Sequence, residues 1–383
     1  MDSFHSHPGR IVFPAEGTAM PYPDVPPLAY GVAHRLIAAG AQPGEVVGVL
    51  APNSSGFVAG FFGTVVAGTV ACVLPVRLTG NDPMSQFGPM ISAARMRHVL
   101  VAGPFGQFGE ELASRYGVTV IRVEDCAPSA NPPAVAPARS ADTAVLQFSS
   151  GSTAAPKGVL LSHRAVFSAT AGSAARARVT AEDRILLWAP LFHDLGLFGL
   201  STAMAVGAEA HLMPTVQCIR DTAGALRYLA DIRGTGLTGS NFAFDRMITA
   251  AGSGALGQAD LSRWRFAVNG GERVTATTLR DFPKALAPFG VRPGVMIPGY
   301  ALAEATFSAT GNIPGTAART VAAQLDSLTS DERAEIRADA EPRAGETALV
   351  SLGPATDRMG IRLTGPSGAV SAPRQRLTTT GRR

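Results

Sequence analysis

VVGVLAPNSSGFVAGFFGTVVAGTVACVL, residues 46–74, carries no charged side chain, and neither does any other position between Glu45 and Arg77. A run of that length raises the question of a membrane span. Its internal punctuation answers it. Pro52, Asn53 and the pair Ser54–Ser55 interrupt the first third, and Pro75 closes the run. The pieces read as a strand at Val46–Leu50, a helix at Ser55–Ala67 and a strand at Thr69–Leu74. A βαβ unit is apolar all round when helices cover both faces of a parallel sheet. The stretch is therefore expected to be the interior of an α/β body, with no membrane span.

The same alternation continues outward. His98–Ala102, Val118–Val123, Val145–Phe148, Ile185–Trp188, Ala208–Met213, Leu237–Ser240 and Arg265–Asn269 are apolar runs of strand length, and Ser85–Met96 and Thr275–Phe289 are amphipathic. Strands alternating with helices predict parallel sheets with helices on both faces. A chain of 383 residues exceeds one compact core and suits two or three subdomains. Ala127–Ala141, with Pro128, Pro132, Pro133 and Pro137, reads as an extended connection. The expected division is one α/β subdomain over residues 1–140 and a second over 141–311. Residues 312–383 then hold an amphipathic helix within Ala317–Ala340, a smaller β-rich region and a frayed, basic tail from Pro373.

Composition narrows the function. Hydrophobic residues make up 46% and charged residues 16%, against roughly 25% charged in ordinary globular chains. That balance excludes a disordered chain. The net charge of +4 suits anionic ligands or an acidic partner. Lys/Arg runs with interleaved aromatics are absent, which argues against nucleic acid. Cys72, Cys126 and Cys218 are too few and too scattered for a disulfide framework or a zinc site, and Met1–Arg10 lacks an apolar signal core. A cytoplasmic placement is expected.

Four segments carry chemistry. Ser149-Ser150-Gly151-Ser152-Thr153-Ala154-Ala155-Pro156-Lys157-Gly158 lies between a strand and the apolar run Val159–Leu161. Small residues let backbone N–H groups approach an anion, hydroxyls add donors and Lys157 adds a point charge. The spacing is not that of a Walker A loop, and a plain Ser/Gly linker is the competing reading. Pro190-Leu191-Phe192-His193-Asp194-Leu195-Gly196 joins a strand to a helix start. Asp194 can cap that helix. His193 either meets a substrate carboxylate or only packs where the helix begins. Asn269-Gly270-Gly271-Glu272-Arg273 follows a strand, and its glycines permit close approach to a flat ring or merely form a turn. In Pro298-Gly299-Tyr300-Ala301-Leu302-Ala303-Glu304-Ala305-Thr306, a tyrosine can stack on a base. Glu304 can hold Mg²⁺ beside phosphates, or simply sit at a helix N-terminus.

In this order the segments resemble the adenylate-forming superfamily, and within it the fatty acyl-AMP ligases. Pro190–Gly196 is similar to that family's Pro-Leu-Phe-His-Asp-Met-Gly. Gly239-Ser240-Asn241-Phe242-Ala243-Phe244-Asp245 is similar to its Gly-Pro-Asn-Phe-Ala-Tyr/Phe-Asp, and Leu261-Ser262-Arg263-Trp264-Arg265 also matches. The resemblance covers about Val46 to Gly353. It implies an N-terminal adenylating domain of two stacked αβα subdomains that binds ATP and Mg²⁺ and activates a carboxylic acid, by resemblance a fatty acid, as an acyl-adenylate. The implied acceptor is an acyl carrier protein. Ser150, Gly151, Ser152, Thr153 and Lys157 would hold phosphates, and Gly270, Gly271, Tyr300, Ala301 and Thr306 would frame the nucleotide. Glu304 would ligate Mg²⁺. His193, Asn241 and Phe242 would line the acyl site, with His193, Lys157 and Glu304 as the catalytic set. Roughly Asn312–Glu346 corresponds to an insertion thought to bar coenzyme A.

The pattern also breaks. Ala154 stands where the family has Gly, Ala301 follows Tyr300 where Gly is usual, and Arg273 replaces Pro. Thr379-Thr380-Gly381-Arg382 resembles the ribose-binding Thr-Gly-Asp with Arg in place of Asp, and the family's small C-terminal domain is expected to be absent from this chain. Two other readings stand beside carrier loading: an acyl- or aryl-CoA ligase, and a non-catalytic nucleotide- or acyl-binding relative.

Overall fold

Two short strands, β1 (Arg10–Phe13) and β2 (Thr18–Pro21), form an antiparallel hairpin, and α1 (Val25–Ala38) follows. The computed structural model describes residues 9–75, 82, 84–149, 157–324, 336–338, 342–357 and 359–361. The uncharged stretch folds as its punctuation indicates. β3 (Val46–Leu50) and β4 (Val70–Val73) pair in parallel with Val47 opposite Ala71, and α2 (Ser55–Val66) connects them. Ser54 Oγ accepts from Phe57 N at 3.1 Å and so starts α2, satisfying one of the N–H groups a helix start leaves open. α2 packs on α1, with Phe57 and Val58 fully buried. No helix of the described residues is long and apolar enough to cross a membrane.

The first sheet continues through α3 (Phe87–Ala93), β5 (His98–Val101), α4 (Gly109–Tyr116) and β6 (Thr119–Arg122). β7 (Thr143–Ser149) and β8 (Lys157–Ser162) complete it in the order β6-β5-β3-β4-β7-β8, with β8 antiparallel. A second, eight-stranded sheet takes β9 (Arg184–Leu187), β10 (Glu209–Leu212), β11 (Gly236–Gly239), β12 (Phe266–Asn269), β13 (Met296–Leu302) and β14 (Phe307–Gly311). Its order is β14-β13-β12-β11-β9-β10-β1-β2. Between these strands lie α5 (His163–Ala177), α6 (Asp194–Val206), α7 (Thr215–Arg220), α8 (Thr222–Asp231), α9 (Asn241–Gly252) and α10 (Ala276–Leu286). One continuous apolar core draws on both sheets, from Phe13 and Phe57 to Phe198 and Phe266.

One expectation is corrected, and a second meets strands in its described part. The strands do not divide at residue 140. β1 pairs in parallel with β10 of the second sheet, Ile11 opposite Ala210. β7 pairs in parallel with β4 of the first, Ala71 opposite Val145. Buried strands choose partners by register over the whole chain, so the Pro-rich segment is a surface connection and not a boundary between sheets. Within Ala317–Ala340, where a helix is expected, the described residues 320–324 and 336–338 are strands. β15 (Thr320–Gln324), β16 (Ile336–Ala338) and β17 (Glu346–Val350) form a small antiparallel sheet in the order β16-β15-β17. The intervening residues 325–335 lie outside the described residues. Pairing of Ala322 with Ala348 and complete burial of Ala322 and Ala323 override the helical preference of this alanine-rich run.

Candidate functional site

In open parallel sheets, ligands bind beyond the carboxyl ends of the strands. Here four segments remote in sequence emerge at such ends. β9 leads into Pro190–Gly196, β11 into Ser240–Phe242, β12 into Gly270–Arg273, and β13 itself carries Tyr300 and Ala301. β9, β11, β12 and β13 are successive neighbours in the sheet. The topology therefore gathers three of the chemically marked segments into one place.

Pro190–Gly196 is built by backbone contacts. His193 N donates to Pro190 O at 3.0 Å and Gly196 N to His193 O at 3.1 Å. A Cβ at Gly196 would stand 2.3 Å from Pro190 O and 2.6 Å from Ala189 O, so only glycine admits this turn. Gly196→Ala is expected to cost about 1–3 kcal/mol by overpacking, read as a lower urea midpoint at unchanged slope; an unchanged midpoint refutes the fit. The sequence suggested Asp194 as the helix cap, but the cap is His193. Asp194 is already helical, with its Oδ1 accepting from Leu195 N at 2.7 Å. Asp194 also lies 2.5 Å from His193 Nδ1. That hydrogen bond outweighs burial and raises the His193 pKa above its ordinary value. The ring lies against Gly271, where a Cβ would stand 3.4 Å from His193 Cε1.

The glycine pair and the β13 segment meet as well. Gly270 N donates to Gly239 O at 3.1 Å, and a Cβ at Gly270 would touch only Gly299 O, at 3.4 Å. Tyr300 is 50% exposed. Ala301 packs against the main core, and the register of β13 with β14 shifts between Tyr300 and Ala301. Pro298–Thr306 is not a helix start. It is a strand ending in a single 3-10 turn, Ala303–Ala305, which carries Glu304 exposed to solvent. Thr306 closes that turn at φ 68°, a left-handed conformation that costs a β-branched residue about 1–3 kcal/mol.

Asn241 and Phe242 depart from their expected place. Asn241 is buried, and its side chain is fully engaged. Nδ2 donates to Arg273 O at 2.8 Å, and Oδ1 accepts from Thr275 N at 3.1 Å and Asn269 Nδ2 at 3.2 Å. It is a strut joining α9, β12 and α10. Phe242 is 50% exposed, with the Arg246 guanidinium 5.8 Å from its ring centre. Arg273 reaches Thr347 Oγ1 at 3.3 Å and Ala348 O at 3.4 Å, tying this loop to the small sheet.

Of the hydroxyl-rich loop, Ser150, Gly151, Ser152, Thr153 and Ala154 lie outside the described residues, as do Thr379–Arg382. Its frame is described: Ser149 pairs with Lys157 across the β7–β8 hairpin, and Lys157 is exposed at the base of the loop.

Beneath the converging segments lies a narrow cavity of about 60 Å³. Gly270, Gly299, Tyr300 and Ala301 contribute to its lining, and its walls include Ile185, Leu187, Phe266, Ile297 and Phe307. Ser173, Arg176, Thr202, Thr238 and Thr310 also line it. These residues were not legible as site residues, because they come from two helices and two strands and belong to no motif.

Residues 2–344 match the family of AMP-binding enzymes. A long-chain-fatty-acid–AMP ligase of Mycobacterium marinum is 28% identical over 341 residues, which cover 86% of this chain and 58% of that protein. A medium-chain-fatty-acid–acyl-carrier-protein ligase of Moorena producens is 29% identical over 329 residues, covering 83% and 55%. The crystal structure of a fatty acid AMP ligase from Legionella pneumophila is similar with a TM-score of 0.83 at 25% identity, covering 94% of this chain and 62% of that one. The chain thus spans between half and two thirds of the length of these relatives.

Proposed function

The chain belongs to the AMP-binding enzyme family and has the fold of adenylate-forming N-terminal domains, and from that premise we propose that it activates a carboxylic acid with ATP. The acid's carboxylate attacks the α-phosphorus, pyrophosphate leaves and an acyl-adenylate forms. The phosphopantetheine thiol of an acyl carrier protein then attacks the acyl carbon, loses its proton and forms a thioester as AMP leaves. The observation that carries this reading is the convergence of Pro190–Gly196, Gly270–Gly271 and Tyr300–Glu304 at adjacent strand ends, above a largely apolar cavity.

Each residue has a place in that reaction. Bare backbone at Gly270 and Gly299, with half-exposed Tyr300 beside them, suits a flat base. Ala301 and Thr306 hold the same turn in shape. Lys157, with Ser150, Gly151, Ser152 and Thr153, neutralises phosphate oxygens, and positioning with charge neutralisation is the main work in phosphorus-centred transfer. Among the described residues no group of three or more His, Cys, Asp or Glu side chains could hold a metal ion by itself. Glu304, exposed on its turn, would hold Mg²⁺ beside the phosphates, and the ion would neutralise phosphate charge. His193, whose pKa the hydrogen bond to Asp194 raises, would set its imidazole beside the reacting carboxylate and phosphate. Transfer to a carrier is supported by the relative from Moorena producens, a medium-chain-fatty-acid–acyl-carrier-protein ligase.

The test is binding of a non-hydrolysable acyl-sulfamoyl adenosine. At a hundredfold excess over its Kd it should stabilise the fold by about 2.7 kcal/mol, read as a higher melting temperature. No shift at saturation overturns the assignment. Binding should also depend on pH. His193 has a raised value, so its charge is complete below the ordinary histidine pKa of about 6.5 and is lost as pH rises through the folded value. Affinity for the analogue should fall over that rise, and His193→Gln should flatten the profile; a wild-type profile already flat there removes His193 from the site.

A further inference from the structure

The cavity is apolar in most of its wall but rich in unused hydrogen-bond donors. Ser173 Oγ, Arg176 Nε, Thr202 Oγ1, Thr238 Oγ1 and Thr310 Oγ1 are buried without a partner, and all five residues line this one cavity. Elsewhere among the described residues only His98 Nδ1, Gln147 Oε1 and Asn269 Oδ1 share that condition. Buried polar atoms are normally paired, and those that are not call for an explanation such as a ligand or water.

Local geometry sharpens the point. A helical hydroxyl has a remedy at hand: donation to the carbonyl four residues back. This chain uses it at Thr64, Thr170, Ser201 and Thr249. Ser173 on α5 and Thr202 on α6 do not use it. Arg176 spends Nη2 on Ala355 O and lies 3.7 Å from the exposed Asp357 carboxylate, which leaves Nε unused. All five groups can donate, and the arginine can only donate. An occupant complementary to this wall is mostly hydrocarbon and brings an oxygen acceptor with it.

Resting on the adenylate reading, with the apolar part of this cavity as the place of the acyl chain beyond the base, we propose that the acid carries an oxygen function along its chain, a hydroxyl or keto group, and is not a plain alkanoic acid. Ser173, Arg176, Thr202, Thr238 and Thr310 set that preference. A site that hydrogen-bonds an oxygen discriminates against the analogue lacking it, because its own buried groups are then left unpaired.

The probes are octanoyl-sulfamoyl adenosine and its hydroxy and keto congeners, with the oxygen moved stepwise along the chain, titrated calorimetrically into the protein. The best oxygenated congener is expected to bind about tenfold tighter or more, the size of one well-placed hydrogen bond. Thr202→Val and Thr238→Val keep side-chain shape and should reduce that ratio of affinities severalfold. The wild-type ratio decides even if one variant fails to fold. If the octanoyl probe binds as tightly as every congener, water satisfies these donors and the inference falls while the adenylate reading stands. If no probe of either kind binds, both fall together.

Discussion

Replacing Asp183 with alanine is expected to lower the unfolding free energy by about 1–3 kcal/mol, the cost of leaving hydrogen-bonding groups without their buried partner. Asp183 is 3% exposed and sits just before β9. Its carboxylate accepts from Thr180 N and Thr235 Oγ1, each at 2.7 Å, and from Arg265 Nε at 2.9 Å, with Arg265 Nη2 also in contact. Arg265 Nη2 reaches Arg178 O at 2.6 Å as well. This cluster ties the end of α5 to the amino ends of β9, β11 and β12, the strands whose carboxyl ends carry the site. Without the carboxylate, Arg265 and Thr235 lose their partner together. Urea unfolding measures the effect, and a loss below about 1 kcal/mol, the worth of a surface pair, shows that the cluster is replaceable by water. Burial alone would raise the Asp183 pKa, but the hydrogen bonds from Arg265, Thr235 and Thr180 outweigh it and hold the carboxyl below the usual range. The contribution is therefore present above the unfolded aspartate value of about 3.9 and is lost as pH falls through the lower folded value. In Asp183→Asn that part of the acid dependence should vanish.

The second large effect concerns nucleotide. Lys157→Ala and Glu304→Gln are each expected to weaken ATP-Mg²⁺ binding by about 1.5–3 kcal/mol, the range for hydrogen bonds to charged groups, or roughly 10- to 150-fold. Both side chains are exposed, so unfolding free energies should stay within about 0.5 kcal/mol of the parent. Calorimetric titration with and without Mg²⁺ separates the two roles. Glu304→Gln should erase most of the Mg²⁺ dependence, whereas Lys157→Ala should weaken binding in both conditions. Affinity unchanged in both variants returns Ser149–Gly158 to an ordinary hairpin loop and Glu304 to an ordinary turn.

Much of the site was legible because its motifs sit where backbone chemistry forces them. Gly196 is required by the carbonyls of Ala189 and Pro190, and Gly271 by its left-handed backbone at φ 81°. Such demands leave a residue type at a fixed position, which can be read directly. The partners of Asn241 were not legible, for the complementary reason. An asparagine at a strand end looks the same whether its amide faces a ligand or, as here, joins Arg273, Thr275 and Asn269. Arg273 departs from the family pattern, and only the fold shows that it spans to Thr347 and Ala348 of the small sheet.

By itself the sequence determined the local architecture. Runs of valine, isoleucine and leucine bounded by Pro, Gly and Ser placed the expected strands within two residues and the helices within three, and the uncharged stretch at residues 46–74 specified a doubly covered parallel sheet. These properties depend on backbone preference and burial, which neighbouring residues encode. Tertiary structure alone decided that β1 and β2 join the far sheet, that an alanine-rich run becomes β15, and that Asp183 meets Arg265. It alone decided that five donors from α5, α6, β11 and β14 face one cavity. Each depends on pairing between segments far apart in the chain, where many registers satisfy the same local pattern and only mutual burial selects one.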